Sequence, residues 1–344
     1  MFQCRGVQLN APTRKCMMKF LHNMLILLSV LLMVQSLGIL TVAAAPAPAH
    51  DPVIMKESDQ FYLFTTGQGI SISRSSDLVN WQYARRVFNK APDWTFKEIP
   101  EFKGVLWAPD IAFVNGHYFL YYSVSTFGSN LSCIGLAVNE TLNPQDPRYK
   151  WDDLGIVIQS TPADDFNAID PNFIQTDDGR AWLSFGSFWT GIKLVELDSA
   201  TGKPLSNPPD LIALASRPGV EYNPIEAPFI FKHGDYYYLF VSWDFCCQKV
   251  KSTYNIRVGR AKEIAGTYFD KDGKSMLEGG GTLVLEGAGD MHGPGHNAVI
   301  RNGKQDLLVH HMYDGTRGGM AVLQIRPIYW DADGWPIVGD PLGK

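Results

Sequence analysis

The 344-residue chain carries 35 acidic against 30 basic residues, a formal net charge of −5. That balance argues against nucleic acid or an anionic membrane surface as a partner. Five cysteines are too few for a disulfide-stapled scaffold.

Residues 1–45 hold Arg5, Arg14, Lys15 and Lys19 and no acid, and residues 24–40 are almost wholly apolar. Val42-Ala43-Ala44-Ala45 then offers the small residues a signal peptidase requires. The stretch reads as a secretory signal, with Met17 or Met18 as an alternative start. Its apolar run lies at the lower limit for a spanning helix, so an uncleaved anchor is the alternative reading. Cleavage leaves residues 46–344, with a net charge of −9 once the four basic residues are removed, and a secreted product, extracellular or periplasmic, no longer bound to membrane.

From residue 50 onward the pattern repeats. Asp51, Asp110, Asp170 and Glu226 follow one another at intervals of 59, 60 and 56 residues, and a fifth copy begins near His296. Each is followed by apolar residues, a polar turn and an aromatic-rich run: Phe61-Tyr62-Leu63-Phe64, Tyr118-Phe119-Leu120-Tyr121-Tyr122, Ala181-Trp182-Leu183-Ser184-Phe185 and Tyr236-Tyr237-Tyr238-Leu239-Phe240. The fifth carries Asp306-Leu307-Leu308-Val309-His310. Asn115-Gly116, Asp178-Gly179, His233-Gly234 and Asn302-Gly303 are hairpin signals between such runs. Third strands are expected at Gly69-Ile70-Ser71-Ile72-Ser73, Ile134-Gly135-Leu136-Ala137-Val138, residues 192–197 and residues 255–260. Little reads as helix. Four strands in about 60 residues describe a propeller blade, so residues 46–344 are expected to form one all-β domain, a five-bladed propeller.

The innermost strand of each blade lines a central channel. Acids near the starts of those strands should therefore converge at one mouth. Converging carboxylates suit glycoside cleavage, in which one protonated acid serves the leaving oxygen and one carboxylate activates water or attacks the sugar. Trp107, Phe127, Phe188 and Trp189 flank the acids and could stack on sugar faces, Trp107 foremost as it lies three residues before Asp110. The adjacent Cys246 and Cys247 are expected as half-buried thiols at a strand end. A long-range bridge from Cys133 is the alternative. Asn130-Leu131-Ser132 and Asn139-Glu140-Thr141 are glycosylation sequons.

The phrases His50-Asp51-Pro52, Leu106-Trp107-Ala108-Pro109-Asp110, Asn167-Ala168-Ile169-Asp170-Pro171, Ser184-Phe185-Gly186-Ser187-Phe188-Trp189, Ile225-Glu226-Ala227-Pro228 and Gly293-Pro294-Gly295-His296-Asn297 together resemble the α-L-arabinanases of glycoside hydrolase family 43. The resemblance spans residues 50 to about 335. It implies endo-acting hydrolysis of α-1,5-linked L-arabinan by single displacement with inversion. Asp51 matches the general base, Glu226 the general acid, and Asp170 the residue that orients the acid and raises its pKa. Trp107, Phe127, Asn167, Ser187, Trp189 and Arg317 are the expected substrate contacts. Asp110 matches no member of the trio and is expected to support the site structurally. His296 matches a histidine that holds a central ion, commonly calcium, mostly through waters. Such an ion would act electrostatically and not on the substrate. A monomer binding arabinan or its oligosaccharides is implied.

Two alternatives remain open in the sequence. One is an exo-acting arabinofuranosidase or β-xylosidase of the same fold. Those enzymes often carry a β-sandwich after the propeller, for which the stretch before Lys344 leaves no room. The other is a non-catalytic sugar-binding propeller, which should have lost one of the trio. Loops 88–103 and 161–167 are the candidates for blocking or opening one end of the cleft.

Overall fold

A computed structural model of the chain describes residues 46–343 together with Met18. The expected signal segment lies outside the described residues. The rest is a five-bladed β-propeller. Blade 1 comprises Val53–Glu57, Gln60–Thr65, Ser71–Ser75 and Gln82–Arg86. Blade 2 comprises Val105–Val114, His117–Val124, Ser132–Asn139 and Asp152–Ser160, with the short strand Gly67–Gln68 paired to its inner edge. Blade 3 comprises Asn172–Gln175, Ala181–Phe185 and Ile192–Asp198, with Lys203–Pro204 and Ile212–Ala215 both pairing the last of these. Blade 4 comprises Ile225–His233, Tyr236–Trp243, Asn255–Ala261 and Thr282–Leu285. Blade 5 comprises Met291–Asn302, Gln305–Asp314, Met320–Trp330 and Pro336–Val338. Every pairing is antiparallel, and the one α-helix within residues 46–343 is the short Asp93–Glu98.

The aromatic runs are the second strands, as expected. Their continuous apolar character has a simple cause. Each blade is packed between two neighbours, so a middle strand is covered on both faces. Phe64, Tyr121, Tyr122, Phe185, Tyr238 and Phe240 are all fully buried, and each contributes the large apolar area typical of an aromatic ring. The cores accordingly lie between blades: Tyr121, Phe173 and Leu183 pack between blades 2 and 3, and Phe240, Val258 and Leu308 between blades 4 and 5.

Turn chemistry fixes the registers. Asn115 and Gly116 both take positive φ (50° and 83°), the two-residue hairpin the Asn-Gly pair favours. The third strand of blade 1 starts at Ser71, two residues later than the sequence suggests. Gly69 and Ile70 are left-handed there, and a Cβ on Gly69 would fall 1.9 Å from the Phe88 carbonyl oxygen.

The ring closes on one strand, Met320–Trp330. Its start bonds residues 47–49 (Ala49 N–H to Ala321 O, 3.2 Å; Leu323 N–H to Ala47 O, 2.8 Å). Its far half bonds the chain's last segment, through Pro336–Val338 and the Leu342 N–H to Ile325 O contact of 2.8 Å. Both ends of the described chain are thus held by the same strand.

Polar side chains stitch the blades. Asp110 Oδ2 accepts the Phe173 N–H at 2.7 Å and the Asn172 amide at 3.3 Å, and Asn172 Oδ1 accepts the Ile230 N–H at 2.8 Å. One chain of bonds therefore runs from blade 2 through blade 3 to blade 4. Both sequon asparagines are buried. Asn130 Nδ2 faces the carbonyls of Thr161, Asp164 and Phe166, holding loop 161–167, and Asn139 Oδ1 accepts the Lys150 N–H.

Asp110→Ala would leave the buried Phe173 N–H without its acceptor. It should lower the unfolding free energy by about 1–3 kcal/mol, read from the midpoint and slope of urea unfolding. An unchanged midpoint would mean that the stitch carries no stability.

Candidate active site

One residue per blade leaves the strand conformation at the mouth of the channel. Asp51, Ala108, Asp170, Ala227 and His296 all have left-handed backbones, with φ of 50°, 45°, 59°, 53° and 48°. None is glycine, so each carries a conformational cost of about 1–2 kcal/mol. In blades 2, 4 and 5 the pairing register slips at this point, between Trp107 and Asp110, Glu226 and Phe229, and Gly295 and Ala298. Bulges of this kind re-aim side chains beside functional sites. Proline follows in four blades (Pro52, Pro109, Pro171, Pro228), which suits a position where the ladder needs no donor.

Each of the five displaced N–H groups is taken up by a side chain of the preceding blade. Ala108 N–H donates to Thr66 Oγ1 (2.8 Å), Asp170 N–H to Ser123 Oγ (3.0 Å), and Ala227 N–H to Asp170 Oδ2 (3.2 Å). His296 N–H donates to Ser242 Oγ (2.8 Å), and Asp51 N–H to His311 Nδ1 (3.1 Å). The last bond carries the ring from blade 5 to the entrance of blade 1.

This register corrects the spacing argument. Asp110 is not the counterpart of Asp51 and Asp170; Ala108 is. Asp110 lies two residues further along the strand and is turned to blade 3, where burial pushes its carboxyl up to about 7 against the opposing Phe173 and Asn172 bonds. Aligning the repeats on their prolines instead of their acids would have found this.

The Asp51 carboxylate faces polar groups on most sides while lining the cleft. Thr66 Oγ1 donates to Oδ2 at 2.5 Å. Oδ1 lies 2.8 Å from His50 Nδ1, 3.2 Å from His296 Nδ1 and 3.6 Å from His311 Nδ1. Burial opposes the charge, but the facing imidazoles of His50 and His296 and the His50 bond outweigh it, and the carboxyl is held well below its ordinary range. Burial lowers His296 and His311, so both imidazoles are neutral at pH 7. His50 goes the other way: burial pulls it down, and the charge of Asp51 more than restores it. None of these roles for His50, Thr66 or His311 was legible in the repeat, because they join the first blade to the last.

Glu226 sits in the opposite environment. Ser187 Oγ donates to its Oε2 at 2.5 Å. Burial pushes the carboxyl up to about 7; the Ser187 bond opposes this and the charge of Asp51 adds to it. Asp170 is raised by burial and then by the charges of Glu226 and Asp51, against the pull of the Ala227 N–H. Two buried carboxyls that repel one another's second negative charge retain a proton near neutrality.

Above this floor lies a cleft of about 1330 Å³. Asp51, Asp170, Glu226, His296, Trp107, Phe127, Asn167, Ser187 and Trp189 all line it. Phe127 is 79% exposed with its ring 6.1 Å from Trp107, and Trp189 is 38% exposed. Asn167 Oδ1 accepts from Ser132 Oγ at 2.7 Å. Arg317 stands apart from the cleft wall, its guanidinium donating to the Pro46 carbonyl at 3.0 Å. Tyr222 and Phe245, which the motifs did not single out, also line the cleft. Of the two candidate loops, 88–103 contributes Glu101, Phe102 and Lys103, and 161–167 contributes Asn167.

Cys246 and Cys247 also line the cleft, and they are joined to each other. Neither sequence reading of the cysteines holds. The turn brings the two side chains together, while Cys133 is a buried free thiol in the third strand of blade 2, pushed up to about 12 by burial.

Calcium takes six to eight oxygen ligands. The protein oxygens beside His296 are those of Asp51, already facing Thr66 and the imidazoles. His296 lines the cleft, and both side-chain polar atoms of the adjacent Asn297 are buried and unpaired. The residues thus fit a hydrated ion held by one imidazole, with water completing the shell, and not an all-protein cage.

Residues 45–336 match the family model described as Glycosyl hydrolases family 43. The chain is 46% identical over 312 residues to an extracellular exo-α-(1→5)-L-arabinofuranosidase of Cellvibrio japonicus, covering 88% of this chain and 89% of the relative. It is 42% identical over 313 residues to an extracellular endo-α-(1→5)-L-arabinanase of Bacillus subtilis, covering 87% and 93%. The solved structure of Cellvibrio cellulosa α-L-arabinanase complexed with arabinohexaose superposes with a TM-score of 0.82 at 45% identity, covering 86% of this chain and 96% of that one. A match that runs through all five blades and takes in every carboxyl of the cleft floor leaves one conclusion: the chain belongs to glycosyl hydrolase family 43.

Proposed function

We propose that the protein is a secreted hydrolase of α-1,5-linked L-arabinan that cuts within the chain by single displacement with inversion. The observation that carries the mechanism is the opposite bias of two carboxyls on one cleft floor. Asp51 is held ionised and Glu226 is pushed up to about 7. A pair biased apart in this way divides into base and acid.

Asp51 takes a proton from a water molecule, and the water oxygen attacks the anomeric carbon. Glu226 gives its proton to the departing glycosidic oxygen, whose bond to that carbon breaks. Asp170 acts on Glu226 in two ways: it holds the following N–H, that of Ala227, and its own charge discourages loss of the Glu226 proton. A calcium ion bound at His296 would supply positive charge beside Asp51 and favour its ionised form.

Internal cleavage is supported by the distribution of aromatic residues. Trp107 and Phe127 come from blade 2, whereas Trp189, Tyr222 and Phe245 come from the loops of blades 3 and 4. Sugar units on either side of the acids would find a stacking surface. The names of the relatives support arabinan as the polymer, and the first of them favours exo attack as the second reading. Their description as extracellular supports secretion.

A time course on linear arabinan tests polymer, mode and stereochemistry together. Early products should form a ladder of arabino-oligosaccharides with the inverted anomeric configuration by proton NMR. One small product from the outset would establish the exo reading. Retained configuration would exclude Asp51 as a base, and strong xylan cleavage without arabinan cleavage would exclude the polymer assignment.

The acids separate by what each variant loses. Asp51→Ala should abolish turnover on every substrate. Glu226→Ala should lose about 10²–10⁴-fold, least on an activated aryl arabinoside. Because Glu226 is raised, its protonated form persists to about pH 7 and activity falls above that. Asp170→Asn removes a like charge, so Glu226 should lose its proton at lower pH and the alkaline limb of the profile should move down. Near-normal turnover in a folded Asp51→Ala or Glu226→Ala variant would show that the pair is misassigned.

Exhaustive chelation should lower activity or melting temperature, and His296→Ala should reproduce part of the effect. Unchanged melting and activity, with no metal by elemental analysis, would leave His296 solely as a partner of Asp51.

A further inference from the structure

The cleft wall contributed by blade 4 is the turn after Trp243, with the joined Cys246 and Cys247 at its centre. Their disulfide is not in contact with a reacting group. It is connected to one by two hydrogen bonds and a close polar contact, and the Cys247 sulfur itself lies 3.8 Å from His50 Nε2. The Cys247 N–H lies 2.7 Å from the Tyr313 hydroxyl oxygen, and that oxygen lies 3.0 Å from His50 Nε2. His50 Nδ1 lies 2.8 Å from Asp51 Oδ1.

Donor chemistry fixes the direction of the first link. An amide N–H can only donate, so the Tyr313 oxygen accepts from Cys247. On a neutral His50 ring the Tyr313 hydrogen goes to Nε2, which leaves the ring proton on Nδ1, beside the carboxylate. The imidazole is held from the side as well, stacked on His311 with ring centroids 4.2 Å apart and an interplanar angle of 22°. Tyr313 is buried in the second strand of blade 5. Three blades therefore meet in the placement of one carboxylate.

The start of this chain depends on an unusual backbone. Asp244, Cys247 and Lys249 all have left-handed φ, at 69°, 66° and 56°. Side-chain caps fix the ends of the turn: Phe245 N–H to Thr253 Oγ1 at 3.2 Å and Gln248 N–H to Ser252 Oγ at 2.9 Å. At Cys247 itself the constraint is the covalent ring closed with Cys246. Cys247 is exposed and Cys246 half-buried, so a small thiol in solution can reach the bond.

We propose that His50 and Tyr313 are positioning residues for Asp51, and that the Cys246–Cys247 disulfide sustains this positioning by holding the Cys247 N–H on the Tyr313 hydroxyl. The proposal rests on the reading of Asp51 as the base. Reduction by dithiothreitol breaks the S–S bond: the two sulfurs take up two electrons and two protons to become thiols, and dithiothreitol closes into its cyclic disulfide. Cys247 is then free to leave the left-handed region and turn its N–H away. Tyr313 and His50 lose their fixed orientation, and the carboxylate that must meet a water at the anomeric carbon is displaced. Small displacements of a reacting group carry large rate penalties.

The test is a cycle of reductant and substitution on the whole enzyme with linear arabinan. Alkylation and mass spectrometry should count two new thiols after dithiothreitol. In the wild type, kcat should then fall about tenfold or more with KM nearly unchanged. Tyr313→Phe should show a similar fall in kcat, and adding dithiothreitol to it should change nothing further, because both act on one chain of bonds. Should Tyr313→Phe fail to fold by circular dichroism, the double variant Cys246→Ser with Cys247→Ser carries the test. It should match the reduced wild type and ignore reductant. An unchanged kcat on confirmed reduction would overturn the proposal. So would a rise in KM alone, which marks the disulfide as a plain wall for substrate, or effects of reductant and Tyr313→Phe that multiply. Full turnover in Asp51→Ala would instead remove the base assignment beneath it, an outcome the cycle itself does not produce.

Discussion

The mouth of this propeller depends on a closed circuit of hydrogen bonds between blades. Five non-glycine residues are held in the left-handed region, and each gives its N–H to a side chain of the blade before it. The conformational cost of each, about 1–2 kcal/mol, is of the same order as the net worth of one buried hydrogen bond, about 0.5–1.5 kcal/mol. Neither would persist without the other. The circuit also requires all five blades, since the donor of blade 1 finds its acceptor, His311, only when blade 5 has closed against it.

The chemistry grows out of that circuit. A left-handed residue breaks the alternation of the strand and turns its own side chain, or that of the residue before it, into the cleft. Asp51, Asp170 and His296 are of the first kind, and Trp107 and Glu226 of the second. The same hydroxyl serves structure and site at once: Thr66 accepts from Ala108 and donates to Asp51. Ser187 has a comparable position at the end of blade 3, where its hydroxyl meets Glu226. The acids are thus fixed by groups whose first task is to join blades.

Electrostatics then separates carboxyls that burial alone would treat alike. Burial is the largest influence on Asp51, Asp170 and Glu226, and it raises all three. Only Asp51 has enough compensation to be held below the ordinary carboxyl range, from the His50 and His296 imidazoles and the Thr66 hydroxyl. Burial lowers both His296 and His311, and His311 uses its Nδ1 to accept the Asp51 N–H, so it holds the backbone of Asp51 and not its charge.

Local chemistry is what the sequence by itself determined. Aromatic runs, Asn-Gly turns and an acid recurring in successive repeats are short-range signals, and they were enough for five blades of at least four strands and for the convergence of Asp51, Asp170, Glu226 and His296 on one cleft. Tertiary structure decided whatever depends on neighbours from distant blades. Asp110 shares the spacing of the acids but faces blade 3, because the bulge at the left-handed Ala108 adds one residue to the strand and Asp110 lies two residues beyond it. Arg317 is drawn to the carbonyl of Pro46, some 270 positions away along the chain, by the closure of the ring. The bond between Cys246 and Cys247 follows from a turn whose backbone no residue pattern announces. The placement of Asp51 likewise rests on His296 and His311, more than 240 residues further on, which only the closed propeller brings to it.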